Sequence, residues 1–162
     1  MDSDEPLIKL ASELGERLLQ RQWLLAVAES CTGGWLAKVI TDIAGSSQWF
    51  DRGFVTYSNE AKQDMLAVPV VTLAQYGAVS EPTVRAMVVG AIQASRADIA
   101  VAITGIAGPG GASLDKPVGT VWFAWGLREG EVISKQLHFN GDRIAVRYQA
   151  VLAALQGLVE RT

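Results

Sequence analysis

Apolar positions along this chain follow two rhythms, and their succession predicts an order of elements. Leu7, Leu10, Ala11, Leu14, Leu18 and Leu19 recur every three or four residues, so residues 4–21 are expected to form an amphipathic helix opening near Asp4 and Pro6. WLLAVAE (23–29) is short and evenly apolar, the pattern of a buried strand whose end delivers SCTGG to a helix over 35–43. GFVTYS (53–58) reads as a second strand ending near Tyr57, and NEAKQDML (59–66) turns helical with Ser58 or Asn59 as its cap. A long packing helix follows in SEPTVRAMVVGAIQASRA (80–97), with Ser80 at its start and Pro82 in its first turn. DIAVAITG (98–105) is another buried strand and runs into IAGPGGASLDKPVG (106–119), a loop too long to be a mere connector. TVWFAWGL and EVISKQLHF, joined through REGE, predict an antiparallel hairpin, and an amphipathic helix over 142–161 closes the chain.

Helices flanking strands throughout predict an α/β protein: a layered α/β/α fold with a mixed, partly parallel sheet ending in an antiparallel hairpin. At 162 residues, the expectation is a single domain over 1–162. Sheets of this kind bind ligands beyond the carboxyl ends of their strands. SCTGG, TYSNEAK and TGIAGPGG all stand at such ends and are expected to converge on one pocket.

Composition removes several function classes. An apolar share of 49% against 19% charged residues describes a folded globule, yet no run reaches the roughly 18 apolar residues of a membrane helix. The acidic start MDSDEPLIKL lacks the features of a secretory signal, so a cytoplasmic location is expected. One cysteine and one histidine offer neither an internal disulfide nor a zinc set, and no metal or cofactor is implied. The net charge of -3, without a Lys/Arg run, argues against nucleic acid as the main ligand.

Candidate chemistry centres on AESCTGG (28–34), where Ser30 and Cys31 stand side by side before two glycines. Ser30 reads either as a helix cap or as a nucleophile; Gly33 and Gly34 let the backbone approach a ligand, and nearby amides offer an oxyanion hole. Strand alternation turns Cys31 away from a pocket that Ser30 faces, and makes Glu29 a structural acceptor. The base is not histidine: His138 alternates with Ser134 and Gln136 on the polar side of a strand. That leaves a Ser-Lys arrangement with Lys62, whose bland reading is a solvated lysine in a first turn. A free lysine, with pKa about 10.4, is neutral in roughly one molecule in 2,500 at pH 7, so a useful base needs burial or a helix start to lower that value. GIAGPGG fits neither a Walker loop nor G-x-G-x-x-G, and Tyr57 and Lys62 lack the spacing and fingerprint of a Tyr-Lys oxidoreductase. Arg143 and Arg147, four residues apart near a helix start, suit a phosphate or a solvated face equally.

AESCTGG, GFVTYSNEAK, GAVSEPTV, TGIAGPGG and KPVGTVWFA, in this order, closely resemble the CinA C-terminal domain family over roughly residues 8–158. The resemblance implies hydrolysis of the carboxamide of nicotinamide mononucleotide (NMN) to nicotinic acid mononucleotide and ammonia, without a metal. On matching positions it implies Ser30 as nucleophile, Lys62 as its base and Tyr57 as a hydroxyl aiding proton transfer to the leaving ammonia. Backbone amides around Thr32, Gly33 and Gly34 would hold the oxyanion, and Thr104 and Gly105 would line the pocket. Arg143, or failing it Arg147, is expected to hold the NMN phosphate from the same or a neighbouring subunit. A homo-oligomer, a dimer first, is the expected assembly. The alternative from another class is a non-catalytic nucleotide-binding or regulatory module linked to competence or DNA damage.

Overall fold

The computed structural model describes residues 3–162; Met1 and Asp2, at the head of the acidic N-terminus, lie outside the described residues. Twelve elements follow one another: α1 (Glu5–Arg21), β1 (Leu25–Glu29), α2 (Trp35–Thr41), a 3-10 turn (Ser46–Gln48), β2 (Phe50–Val55), α3 (Asn59–Leu66), α4 (Val70–Tyr76), α5 (Glu81–Gln93), β3 (Ile99–Gly105), β4 (Thr120–Leu127), β5 (Val132–His138) and α6 (Arg143–Glu160). The strands form one sheet in the order β2-β1-β3-β4-β5. β1 pairs in parallel with β2 and β3, and β4 runs antiparallel to both β3 and β5. This is the layered, mixed sheet with a terminal hairpin that the alternation of patterns predicts.

Side-chain size separates the two faces. Leu25, Val27, Val101, Ile103, Phe123 and Trp125 fill the face under α1, α2 and α6, whereas Ala26, Ala28, Ala100, Ala102 and Ala124 pave the other. Alanines keep that second face shallow, so α5 packs close to the strands and α3 lies against α5. Gly90 completes the approach: a Cβ there would stand 1.9 Å from the Leu66 carbonyl oxygen. The end of α3 is thereby fixed against α5.

Several boundaries and one element differ from expectation: β1 begins at Leu25, not Trp23, and α5 ends at Gln93, four residues short of Ala97. β2 begins at Phe50, three residues early, where a register shift between Leu25 and Ala26 absorbs Asp51 at this edge strand, and it ends at Val55, two residues before Tyr57. α2 stops at Thr41, two residues early. α4 has no counterpart in the periodicity: VVTLAQY is short, opens with β-branched residues and buries only Leu73. No helix among the described residues is long and apolar enough to cross a membrane.

Candidate active site

β1 leads left in the sheet to β2 while β3 leads right to β4, so the connections leaving the carboxyl ends of these two paired strands part at this switch point. A cavity of about 240 Å³ opens there, lined from SCTGG by Ser30 and Cys31, from the second junction by Tyr57 and Lys62, and from the third by Thr104 and Gly105. The three stretches thus meet in one place, joined by Arg143 at the head of α6. Ala78 and Val79, between α4 and α5, also face it. The resemblance includes GAVSEPTV, but apolar periodicity attaches no chemistry to these two residues.

Ser30 does not cap α2. Gly34 occupies the cap position without a side-chain bond, and the buried Glu29 serves that end instead. Its Oε1 accepts from Thr32 Oγ1 (2.7 Å) and the Leu36 amide (2.9 Å), and its Oε2 from the Ala37 amide (3.0 Å). Three donors on a fully buried carboxylate stabilise its charge and fix the turn that follows. Alternation along β1 sends Ser30 to the alanine face, towards α3.

Lys62 descends on it. Ser58 caps α3 by accepting from the Ala61 amide (3.0 Å), which places Lys62 one turn in. The Lys62 side chain is 1% exposed, and its Nζ lies 3.0 Å from Ser30 Oγ, 2.9 Å from the Thr56 carbonyl and 3.3 Å from the Tyr57 carbonyl. No carboxylate pairs with it among the described residues; the ion pairs present are Arg17–Glu13, Lys38–Asp42 and Arg52–Asp51, on the surface. Burial therefore lowers the Lys62 pKa from its ordinary value. An ionised Cys31 would oppose this, but burial pushes the Cys31 thiol up to about 12, so it stays neutral at physiological pH. As an ammonium Lys62 donates to all three oxygens; on losing a proton it keeps two N–H bonds for the two carbonyls and gains a lone pair that can accept from the Ser30 hydroxyl. The two carbonyl acceptors are main-chain atoms and leave no trace in residue identity.

The remaining expected residues divide. Thr104 lines the cavity while its hydroxyl donates to the Ala78 carbonyl (2.9 Å). Gly105 is required by packing, since a Cβ there would stand 2.7 Å from Val121 Cγ2 and 2.9 Å from the Thr120 carbonyl. Tyr57 is 62% exposed, and its hydroxyl accepts from Arg143 (3.2 Å), whose other amino group donates to the Gly108 carbonyl (2.7 Å). Arg143 thus spans the mouth between Tyr57 and the glycine loop. Arg147 departs from expectation: it does not line the cavity but donates to the carbonyls of Cys31 (3.0 Å) and Thr32 (3.1 Å). The oxyanion expectation departs likewise: Thr32, Gly33 and Gly34 do not line the cavity, Thr32 is fully buried, and the Gly33 amide already donates to the Ser30 carbonyl (3.1 Å), whereas the Thr32 and Gly34 amides have no acceptor among the described residues. His138 is exposed on β5, with Nε2 2.9 Å from the Val118 carbonyl and no part in the cavity. Among the described residues no cluster of His, Cys, Asp and Glu has the make-up of a metal site.

Comparison with known proteins adds three findings. The model of the CinA C-terminal domain matches residues 7–162. Nicotinamide-nucleotide amidohydrolase PncC of Escherichia coli K12 is 60% identical over 156 residues, covering 96% of this chain and 94% of that protein, and its Pseudomonas putida namesake is 53% identical over 96% and 97%. The crystal structure of the competence/damage inducible protein CihA from Agrobacterium tumefaciens superposes with a TM-score of 0.94 at 45% identity, over 96% of this chain and 94% of that one.

Proposed function

The chain belongs to the CinA C-terminal domain family, and from that premise we propose that it is a nicotinamide-nucleotide amidohydrolase working by a Ser-Lys mechanism, with residues 1–162 acting as one catalytic domain. The observation that carries the mechanism is the buried Lys62 amine 3.0 Å from Ser30 Oγ with no carboxylate to hold its proton. Neutral Lys62 takes the Ser30 proton as Oγ attacks the carboxamide carbon of NMN, forming the Oγ–C bond and an oxyanion. The oxyanion donors are backbone amides of the turn after Ser30, of which Cys31 lines the cavity beside the nucleophile. The proton passes from Lys62, aided by the Tyr57 hydroxyl, to the amide nitrogen; the C–N bond breaks and ammonia leaves. Water then attacks the ester, giving its proton to Lys62; the C–Oγ bond breaks, Oγ recovers a proton, and the nicotinate product departs.

At about 240 Å³ the cavity is at the small end of ligand pockets, which run from roughly 300 Å³ upwards. It suits the pyridinium carboxamide, with the ribose phosphate extending through the mouth to Arg143. That guanidinium commits two donors to protein oxygens and has others for a phosphate. The test is ammonia release from NMN by the purified protein in the presence of a chelator. Turnover that Ser30→Ala abolishes is expected; binding of NMN without turnover would instead establish the regulatory-module alternative.

A further inference from the structure

We propose that the nicotinate product is held by Ser30 and Lys62 in a form carrying one proton more than the pair uses for catalysis, so that the product inhibits more strongly as pH falls. The inference deepens the Ser-Lys amidase reading above and rests on it. Lys62 and Arg143 are the charged side chains lining the cavity, and no Asp or Glu among the described residues joins them. The three oxygens around Lys62 Nζ, Ser30 Oγ at 3.0 Å and the carbonyls of Thr56 at 2.9 Å and Tyr57 at 3.3 Å, are all uncharged. A protonated Lys62 therefore has hydrogen-bond acceptors but no counterion, a costly state for a side chain that is 1% exposed. A carboxylate entering the cavity supplies that counterion.

The direction of the Ser30 hydroxyl decides which ligand fits. When Lys62 is neutral, its two N–H bonds serve the carbonyls and Ser30 donates to its lone pair, leaving the cavity no proton from that hydroxyl. When Lys62 is protonated it donates to Ser30 Oγ, and the Ser30 proton turns to an acceptor in the cavity. A carboxylate only accepts, so it fits the protonated pair, and hydrolysis leaves its carbon beside the Oγ from which it has parted. Thr104 also lines the cavity, but its hydroxyl already donates to the Ala78 carbonyl (2.9 Å). The groups around Lys62 leave the proton to it. The Cys31 thiol, pushed up to about 12 by burial, stays neutral; Glu29 is engaged by Thr32 and the Leu36 and Ala37 amides; Tyr57 and Arg143 meet at the mouth. Glu60 and Asp64 of α3 are exposed, and Glu81 and Arg85 of α5 meet at Ser134. Binding and protonation are reciprocal: the proton strengthens the carboxylate by the same factor by which the carboxylate strengthens the proton.

The test is calorimetric binding of nicotinic acid mononucleotide to wild type, Lys62→Met and Lys62→Arg across a pH series, in paired buffers of different ionisation enthalpy. Pyridine mononucleotide, the same nucleotide without the carboxylate, serves as reference, because the ratio of the two Kd values cancels the titration of the phosphate. In wild type the ratio is expected to move about tenfold per pH unit in favour of nicotinic acid mononucleotide as pH falls towards the Lys62 pKa, and to level off below it. Above that pKa, binding is expected to take up close to one proton. Lys62→Met is expected to bind the carboxylate roughly 10- to 100-fold more weakly than wild type on the low-pH plateau, without a slope. Lys62→Arg, a permanent cation, loses the slope as well. A flat ratio in wild type, or no binding of nicotinic acid mononucleotide at any pH, overturns the proposal. So does a slope that survives in either folded variant, which gives the proton to another group. If wild type leaves NMN intact, the amidase reading fails, and the slope of the wild-type ratio still decides the carboxylate site.

Discussion

On one side of the cavity, the turn of residues 29–34, which lines it with Ser30 and Cys31, is held by Glu29, Lys62 and Arg147 through hydrogen bonds of 2.7 to 3.1 Å. The facing wall, residues 106–119, is anchored at its base by exchange between Ile106, Gly119 and Thr120 and by His138 and Phe139 on the Val118 and Gly119 carbonyls, is reached at Gly108 by Arg143 and closes a turn between Ser113 and Lys116, while residues 109–115 lie exposed. The difference separates two tasks. Atoms that stabilise charge in a transition state must be in place before it forms, so buried, mutually satisfied groups hold them. A wall that admits and releases a nucleotide needs glycines and few bonds. Lys116, donating to the Tyr76 carbonyl (3.1 Å), links that loop to α4, the helix that periodicity does not reveal.

The contrast breaks most sharply at Lys62. Lys62→Arg keeps the charge but cannot accept a proton, and kcat is expected to fall roughly 10²- to 10⁴-fold. In the wild type, kcat rises with pH through one deprotonation below the ordinary lysine value of about 10.4, because burial lowers the Lys62 pKa. Stability follows the same sign. The folded state binds this proton less tightly than the unfolded one, so the penalty is full below the folded pKa and vanishes as pH rises past the unfolded value. The melting temperature of Lys62→Met relative to wild type is therefore expected to move in the variant's favour as pH falls towards the folded pKa, whatever the cost of the three lost hydrogen bonds; a difference that stays constant with pH contradicts a depressed pKa.

A smaller effect is expected where the two walls meet. Arg143→Ala lowers kcat/KM for NMN about ten- to a hundredfold while leaving the slow reaction of the dephosphorylated riboside nearly unchanged. Equal losses on both substrates would move the phosphate site elsewhere in the glycine loop. The smallest effects separate two glycines. Gly33 has φ +59° in the tied wall, so Gly33→Ala costs about 1 to 2 kcal/mol of strain. A Cβ at Gly110 meets nothing within 4 Å, and Gly110→Ala stays within about 0.5 kcal/mol in chemical denaturation.

Much of this was legible in residue order. The periodicities located every strand and all helices but α4, and strand alternation alone put Ser30 and Glu29 on opposite faces, one at the cavity and one in the turn. What escaped was carried by main-chain atoms and by distance. The carbonyls of Thr56 and Tyr57 that hold Lys62 have no residue signature, and the i, i+4 spacing that put Arg143 and Arg147 on one helix face did not reveal that a turn of helix separates a cavity mouth from the back of the nucleophile turn. The start of β2 was hidden because Asp51 and Arg52 are tolerable only at an edge, and edge position is a property of the sheet order.

Ser30 and Cys31 are adjacent in sequence and both touch the cavity, so the central claim is settled by which of them carries the acyl group. Acid quenching during turnover of NMN, followed by peptide mapping, reads this directly. The account predicts a nicotinate-mononucleotide ester on Ser30, retained in Cys31→Ala; an adduct on Cys31 that persists in Ser30→Ala would contradict it.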